Sequence, residues 1–299
     1  MIFRWIGVAI ACCLYASTIF AGDLAEIRKR GVLRHLGVPY AHFVRSTDKG
    51  LDGLDVELMQ RFAQHLGVEY QWVETSWSGV IGDLTGQVAV PDAGGRVKIT
   101  GHTEVRGDVI ANGLTILPWR QQVVDYSTPT FPTGVWLIAR ADSPIKPIEP
   151  SGHIGTDIQR VKDLLSGRSV LTMKGTCLDP QLYDLSSSQA DIRYHTASEN
   201  LNDIAPAVIE GVAEATLLDI PNALVALERW PGNIKIIGPI SEPQFMGVAV
   251  AKSSTELLAE FNRFFKEFSA SGAYYELVHK YYPSILLYLG DFFRNRKGE

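Results

Sequence analysis

The sequence predicts an α/β protein of two lobes, each a mostly parallel sheet flanked by helices, with the chain crossing twice between them. Three observations carry this. Strand and helix patterns alternate from residue 31 to about 126. A second complete alternating block runs from 169 to 239. Two stretches rich in Pro, Ser, Thr and Gly, "STPTFPTG" (127–134) and "GPISEPQ" (238–244), bracket that second block. Alternating elements favour a parallel sheet covered by helices. A block joined to the rest at two points permits closure over a cleft. The implied division is 22–131 plus 243–299 for the first lobe and 132–242 for the second.

The elements follow in order. "GVLRHLGV" (31–38) reads as a short apolar strand. In the next segment Leu58, Met59, Phe62, Ala63 and Leu66 share one helical face, and Gly67 is suited to end that helix. "VEYQWVET" (68–75) alternates and is rich in strand formers. "SWSGVIGDLTG" is a turn into a short helix. Between about 86 and 104, Val88 and Val90 alternate, "PDAGG" turns, and Val97 and Ile99 alternate again, which predicts an inserted hairpin. "GDVIANGLTI" (107–116) reads as a buried strand, and "PWRQQVVDY" as a helix with Pro118 at its first position. In the second block "SVLTMKG", "IRYHTA", "ATLLDI" and "NIKIIGP" read as strands. "LDPQLYDL", "ENLNDIAPAVIEG" and "PNALVALERW" read as the helices between them. "FMGVAVAK" (245–252) adds a strand. A long helix from Thr255 presents Leu257, Leu258, Phe261, Phe264, Phe265 and Phe268 until "SASG", and "AYYELVHKYYP" is the last helix.

The composition, 46% apolar and 20% charged over 299 residues, suffices for two medium domains held by their cores. A net charge of −5 leaves no general nucleic-acid footprint. Arg4, an apolar stretch from Trp5 to about Phe20, and Ala21-Gly22 have the pattern of a cleaved secretory signal over residues 1–21. The rival, a membrane anchor, fits less well: the stretch is short, holds Cys12, Cys13, Ser17 and Thr18, and meets no basic stop. Cleavage would remove Arg4, taking the charge from −5 to −6, and leave Cys177 as the one cysteine, so the mature chain would hold no internal disulfide. The seven histidines are scattered with no metal-ligand spacing, and no nucleophile elbow or phosphate loop occurs. No cofactor is expected. Asp52 with Asp55, and Asp203 with Glu210, read as solvated carboxylate pairs.

One segment raises a sharper question. In "GLTILPWRQQ" an apolar run ends at Leu117 and an arginine follows at 120. Strand ends and helix starts expose unpaired N–H groups, and a guanidinium beside them makes an anion site. The alternative is a surface arginine on a helix. Asp219 likewise has two readings: it ends a strand just before Pro221, where aspartate is a good helix cap, or it faces a ligand, or both.

The ordered landmarks settle these readings as resemblances. "PYAHF" (39–43), "GLDVELMQRFAQHLGVEYQWVETSWSGVI" (53–81), "GDVIANGLTILPWRQQVVDYSTPTF" (107–131), "KGTCLDP" (174–180), "EATLLDIP" (214–221) and "SASGAYYELVHKYYP" (269–283) together resemble the extracellular solute-binding proteins of family 3, the polar amino-acid binding proteins of ABC importers. The resemblance implies the type II periplasmic-binding fold, a periplasmic location, a membrane permease as partner and a small amino acid or related carboxylate as ligand. It implies that Arg120 grips the ligand carboxylate, with the Gly113 backbone and Thr115 assisting. Asp219 would meet the ammonium group, the N–H groups of Thr176 and Cys177 would meet the carboxylate from the second lobe, and Tyr40 and Trp77 would flank the side chain. Cys177 departs from the family's second threonine and replaces a hydroxyl with a weak donor. Leu117 departs from the usual capping residue. Gly37 lies where some relatives for cationic amino acids carry an acid. Some similar proteins are periplasmic dehydratases; that chemistry would need a general acid in the cleft, for which Glu74 and Glu242 are the guesses. A free-standing partner-signalling protein is the other alternative.

Overall fold

The computed structural model describes residues 22–92, 94–294 and 296. The expected signal at 1–21 lies outside them. Among the described residues no helix is long and apolar enough to cross a membrane.

The chain begins with α1 (Leu24–Arg30), β1 (Val32–Gly37), a small hairpin of β2 (Arg45–Thr47) and β3 (Gly50–Asp52), α2 (Leu54–Leu66), β4 (Glu69–Glu74) and α3 (Val80–Thr85). The hairpin of β5 (Gln87–Pro91) and β6 (Val97–His102) follows, then β7 (Val109–Ile110) and β8 (Val124–Tyr126). The first crossing carries β9 (Phe131–Thr133) into β10 (Val135–Arg140). The second lobe continues with α4 (Ile154–Asp163), β11 (Ser169–Thr172), β12 (Asp191–Tyr194), α5 (Ile204–Ile209), β13 (Ala215–Asp219), α6 (Ile220–Arg229) and β14 (Ile234–Pro239). The return crossing carries β15 (Gln244–Met246) into β16 (Ala249–Ala251), and α7 (Thr255–Ala270), α8 (Ala273–Tyr281) and α9 (Ile285–Arg294) finish the chain.

Two five-stranded sheets result, in the orders β4-β1-β7-β16-β8 and β12-β11-β13-β10-β14. The pairings show how far "mostly parallel" holds. β1 pairs parallel with β4 and β7, while β16 is antiparallel to both β7 and β8. β11 pairs parallel with β12 and β13, while β10 is antiparallel to both β13 and β14. In each sheet, therefore, all strands but one share a direction. The reversed strand, β10 or β16, is the one that a crossing delivers. β9 and β15 pair with each other, Phe131 opposite Met246, so the two crossings form one short antiparallel ribbon. The other strands end at the cleft, where α/β sheets hold their ligands.

The α2 stripe is buried as its spacing demands, and Gly67 closes it with φ +71. Four expected elements differ, one of them the strand at 245–252, which divides into β15 and β16 in different sheets. The strand at 107–116 shortens to Val109–Ile110, because Gly113 turns the chain at φ +67. "PWRQQVVDY" forms no α-helix: a 3₁₀ turn at Arg120–Gln122 leads directly into β8. Val123 and Val124 are β-branched, and Val124 finds a strand partner in Ala251, which decides against helix. "LDPQLYDL" forms two 3₁₀ turns divided by Asp184 in the left-handed region, φ +51. The helix α9, like α1, α4, β10 and the β2–β3 hairpin, was not among the expected elements. It lies on the crossings: Phe293 packs on Phe131, Phe292 on Phe245 and Tyr288 on Trp136.

Candidate functional site

The groups singled out in the sequence gather where the two sheets face each other. Tyr40 follows β1, Trp77 follows β4, and Gly113, Thr115 and Arg120 follow β7. From the other side, Thr176 and Cys177 follow β11, and Asp219 ends β13. The lobes touch here. The Ala41 N–H donates to Asn202 Oδ1 at 2.9 Å, Asn202 Nδ2 donates to the Pro39 carbonyl at 3.3 Å, and Ser78 Oγ donates to Glu199 at 3.0 Å.

Arg120 is 3% exposed. Its Nη1 donates to the Thr115 carbonyl at 3.0 Å, its guanidinium lies 5.4 Å from the Trp119 ring centre, and its Nε has no acceptor. Among the described residues it forms no ion pair. The Thr115 carbonyl also accepts from the Tyr126 hydroxyl at 3.2 Å, whereas the buried Thr115 Oγ1 has no partner. Gly113 has a partner of its own. Its N–H is committed to Asp55 Oδ2 at 2.7 Å, which leaves its carbonyl as the backbone group it can offer. A Cβ there would lie 2.5 Å from the Phe43 ring, so only glycine fits the turn.

Asp219 is 1% exposed. Its Oδ1 accepts from the Asn222 N–H at 3.0 Å, so it does cap α6. Its Oδ2 accepts a short hydrogen bond from the Tyr40 phenol and faces Cys177 Sγ at 3.8 Å. Burial pushes its carboxyl up to about 6, while the bonds from Tyr40, the Asn222 N–H and Cys177 favour the ionised form. Cys177 is a buried thiol pushed up to about 12 by burial and then by Asp219, with Arg120 acting in the opposite direction. It is protonated at neutral pH and lies within the field of both charges. Thr176 spends its hydroxyl locally, donating to the Met173 carbonyl at 2.9 Å and accepting from the Leu178 N–H at 3.1 Å. That leaves its N–H for a ligand. Tyr40 stands edge-on to Trp77, with ring centres 5.3 Å apart, and the buried Trp77 Nε1 has no acceptor. A cavity of ≈ 600 Å³ opens beside Trp77 and Thr176 toward Lys174, Tyr194 and His195.

Several residues take other places than their sequence suggests. Asp55 is not solvated: it is 5% exposed, and burial pushes it up to about 7. Asp52, its supposed twin, pairs with Arg45 at 2.8 Å. Glu74 and Glu242 are both exposed, so neither guess for a general acid reaches the centre. A Cβ at Gly37 would lie 2.5 Å from Trp72, so packing alone explains that glycine. Sequence reasoning missed Asp55 as the anchor of the Gly113 turn, and also Tyr126 and Gln244, whose buried Oε1 is unpartnered. The inserted hairpin is tied beside Arg120 by Gln122, which accepts from the Val97 N–H at 3.1 Å and donates to the Gly95 carbonyl at 2.8 Å.

Comparisons with known proteins agree with this fold. Residues 36–90 and 92–284 match the model of the bacterial extracellular solute-binding proteins, family 3. The L-cystine-binding protein TcyJ of Escherichia coli (strain K12) is 26% identical over 264 residues, covering 87% of this chain and 86% of that protein. The membrane-bound lytic murein transglycosylase F of Desulfosudis oleivorans is 24% identical, and the match covers 95% of this chain but 56% of that enzyme. Among solved structures, a mutant of the arginine-binding protein ArgBP from T. maritima superimposes with a TM-score of 0.69 at 25% identity, over 87% of this chain and 99% of that one. The ancestral amino acid-binding protein AncCDT-1, a precursor of cyclohexadienyl dehydratase, superimposes with a TM-score of 0.67 at 25% identity, over 87% and 99%.

Proposed function

The chain belongs to family 3 of the bacterial extracellular solute-binding proteins, and from that premise we propose that its interlobe cleft captures a small α-amino acid in the periplasm for the membrane permease of an ABC importer. One observation carries the reading. Among the described residues a buried cation without an ion-pair partner, Arg120, and a buried carboxylate without one, Asp219, stand on opposite sides of the cleft. Burying either charge alone is costly. A zwitterion neutralises both at once.

Binding then proceeds by exchange. The ligand carboxylate takes the Arg120 guanidinium, whose fork suits two parallel bonds, and the N–H groups at 176–177 approach it from the second lobe. The ammonium group displaces the Tyr40 phenol from Asp219 Oδ2. The ligand thus touches both lobes in the closed state and one in the open state, and this difference is what shifts the equilibrium toward closure. No bond is made or broken, and no cofactor or metal takes part. Removal of residues 1–21 would release the protein into the periplasm. The relatives that bind cystine and arginine by name support an amino-acid ligand.

The test is thermal unfolding of the purified protein, stripped of bound solute, against all amino acids and a panel of simple organic acids. A ligand that binds only the native state raises the melting temperature by mass action. A shift with an amino acid is expected. A shift only with acids that lack an amine would reduce Asp219 to a helix cap. Silence across the panel overturns the reading, and turnover of prephenate or arogenate would then be measured for the dehydratase alternative.

A further inference from the structure

At the head of α1, Gly22 is held from both sides. Its N–H donates to Asp108 Oδ1 at 3.3 Å, a contact spanning 86 positions of sequence. Its carbonyl accepts from Ser254 Oγ at 3.4 Å, where α7 is about to begin. Asp23 fixes the direction of the chain here. Its Oδ1 accepts from the Leu24 N–H at 2.8 Å and the Leu257 N–H at 2.9 Å, and its Oδ2 from the Glu256 N–H at 3.4 Å.

The acceptor of the Gly22 N–H is an ionic centre. Asp108 stands one residue before β7 and is 0% exposed. Its Oδ2 accepts from Arg30 Nη2 at 2.5 Å, from the Arg34 N–H at 2.9 Å and from Arg34 Nε at 3.3 Å. Its Oδ1 accepts from Arg34 Nη2 at 2.8 Å as well as from Gly22. Glu26 and Arg30 face Gly22 from α1: a Cβ built on Gly22 would stand 3.4 Å from Glu26 Oε2 and 3.4 Å from Arg30 Nη1. From β1 comes Arg34, through Asp108. From α7 comes Glu256, whose N–H bonds Asp23, while Glu260 turns to Arg28 at 3.9 Å. The carboxylates of Asp23, Glu26 and Asp108 thus meet the guanidiniums of Arg30 and Arg34, and this set is one cation short. A peptide N–H gives Asp108 a donor only. An ammonium group gives it the donor and the missing charge.

We infer that Gly22 is the N-terminus of the processed protein and that its α-ammonium is the third cation on Asp108, an ion pair formed only once the bond from residue 21 to Gly22 is cut. This rests on the reading of residues 1–21 as a cleaved signal. The cut is a hydrolysis. Water oxygen bonds to the residue-21 carbonyl carbon, the C–N bond breaks, residue 21 leaves as a carboxylate, and both water protons end on the Gly22 nitrogen. Before the cut the cluster keeps its excess of negative charge. After it, the pair ties the head of α1 to the segment entering β7, and the processed chain is the more stable of the two. The linked stability is complete below about pH 8, the ordinary α-amine value, and is lost as pH rises through the higher value of the folded state.

Mass spectrometry of the exported full-length chain tests the cut. A product that starts at Gly22 is expected, and a start elsewhere overturns the proposal. The pair is tested separately, on a chain produced to begin at Gly22, so the two failures are distinguishable. No solute is added, which makes the result independent of what the cleft binds. The pH dependence of acylation at the α-amine, followed by peptide mapping, should place that amine at about 9 or higher, against an ordinary value of about 8. A value at or below 8 overturns the pair. Asp108→Asn should bring the amine back toward 8, and a raised value that persists in this variant overturns the assignment to Asp108. Nα-acetylation leaves every side chain in place, keeps the N–H donor and removes the charge. It should lower the melting temperature by roughly 2–4 °C at pH 7 and leave it unchanged at pH 10. An equal midpoint with and without the acetyl group at pH 7 overturns the ion pair.

Discussion

Arg120 and Asp219 are buried alike and supported unequally. Arg120 donates to the Thr115 carbonyl and has an unpartnered Nε. Asp219 has three donors: the Asn222 N–H, the Tyr40 phenol and the Cys177 thiol. The first lobe thus presents a buried charge with no ion-pair partner among the described residues. The second lobe presents a charge whose present partner, a phenol from the first lobe, can be exchanged. The lesson is that the two residues pose different mutational problems. If the proposed function holds, loss of Arg120 removes recognition and a bond to the Thr115 carbonyl, whereas loss of Asp219 removes recognition, a helix cap and a contact between lobes.

The largest effect is expected at Arg120. Arg120→Ala should cost about 2–5 kcal/mol of ligand affinity, the range for truncating one member of a buried charge pair. Its ligand-free melting temperature should stay level or rise, because a buried unpaired charge is gone. Calorimetric titration and thermal unfolding measure both. Normal affinity would remove the carboxylate grip from this residue.

Asp219 comes next and sharpens the contrast. Asp219→Ala and Asp219→Asn should both weaken binding, by roughly 100-fold. Only the alanine variant also loses the cap, worth about 1 kcal/mol, since asparagine caps as well as aspartate. An asparagine variant with full affinity would show that Asp219 is a cap and nothing more.

A pH dependence follows from the same residue. Asp219 holds its proton more tightly folded than unfolded, about 6 against an ordinary 3.8. The folded state therefore binds more protons between those values, and the stability linked to this group falls as pH rises through that window. Ligand binding needs the ionised form. Affinity should decline below about pH 6, by up to roughly tenfold per pH unit. Asp219→Asn should lose Asp219's share of both trends. Asp55, raised to about 7, and His35, lowered to about 4, are present in both proteins, so the difference between them isolates Asp219.

Smaller effects test the partners. Tyr40→Phe removes a bond that favours the ionised carboxylate, so the midpoint of the pH–affinity curve should move upward while affinity at pH 8 changes only a few-fold. Cys177→Ser supplies a stronger donor and should tighten binding by less than roughly tenfold. A midpoint unmoved in Tyr40→Phe would detach the phenol from the site's electrostatics.

Local pattern by itself determined much of this protein. The i, i+3, i+4 spacing in α2, the alternation in β4 and the two alternating strands of the inserted hairpin need only neighbours a few residues away, and each lies where its pattern says. The ordered landmarks brought Tyr40, Trp77, Thr115, Arg120, Cys177 and Asp219 to one cleft. The tertiary structure decided what those residues do there. Val124 becomes strand rather than helix because Ala251 lies beside it. Gly113 loses its N–H to Asp55, 58 residues away, and Asp219 gains the Tyr40 phenol from 179 residues away. Asp55 looks solvated until its surroundings close over it. Hydrogen bonds and burial are set by what the fold brings near, and a carboxylate's neighbours along the chain carry no record of its neighbours in space.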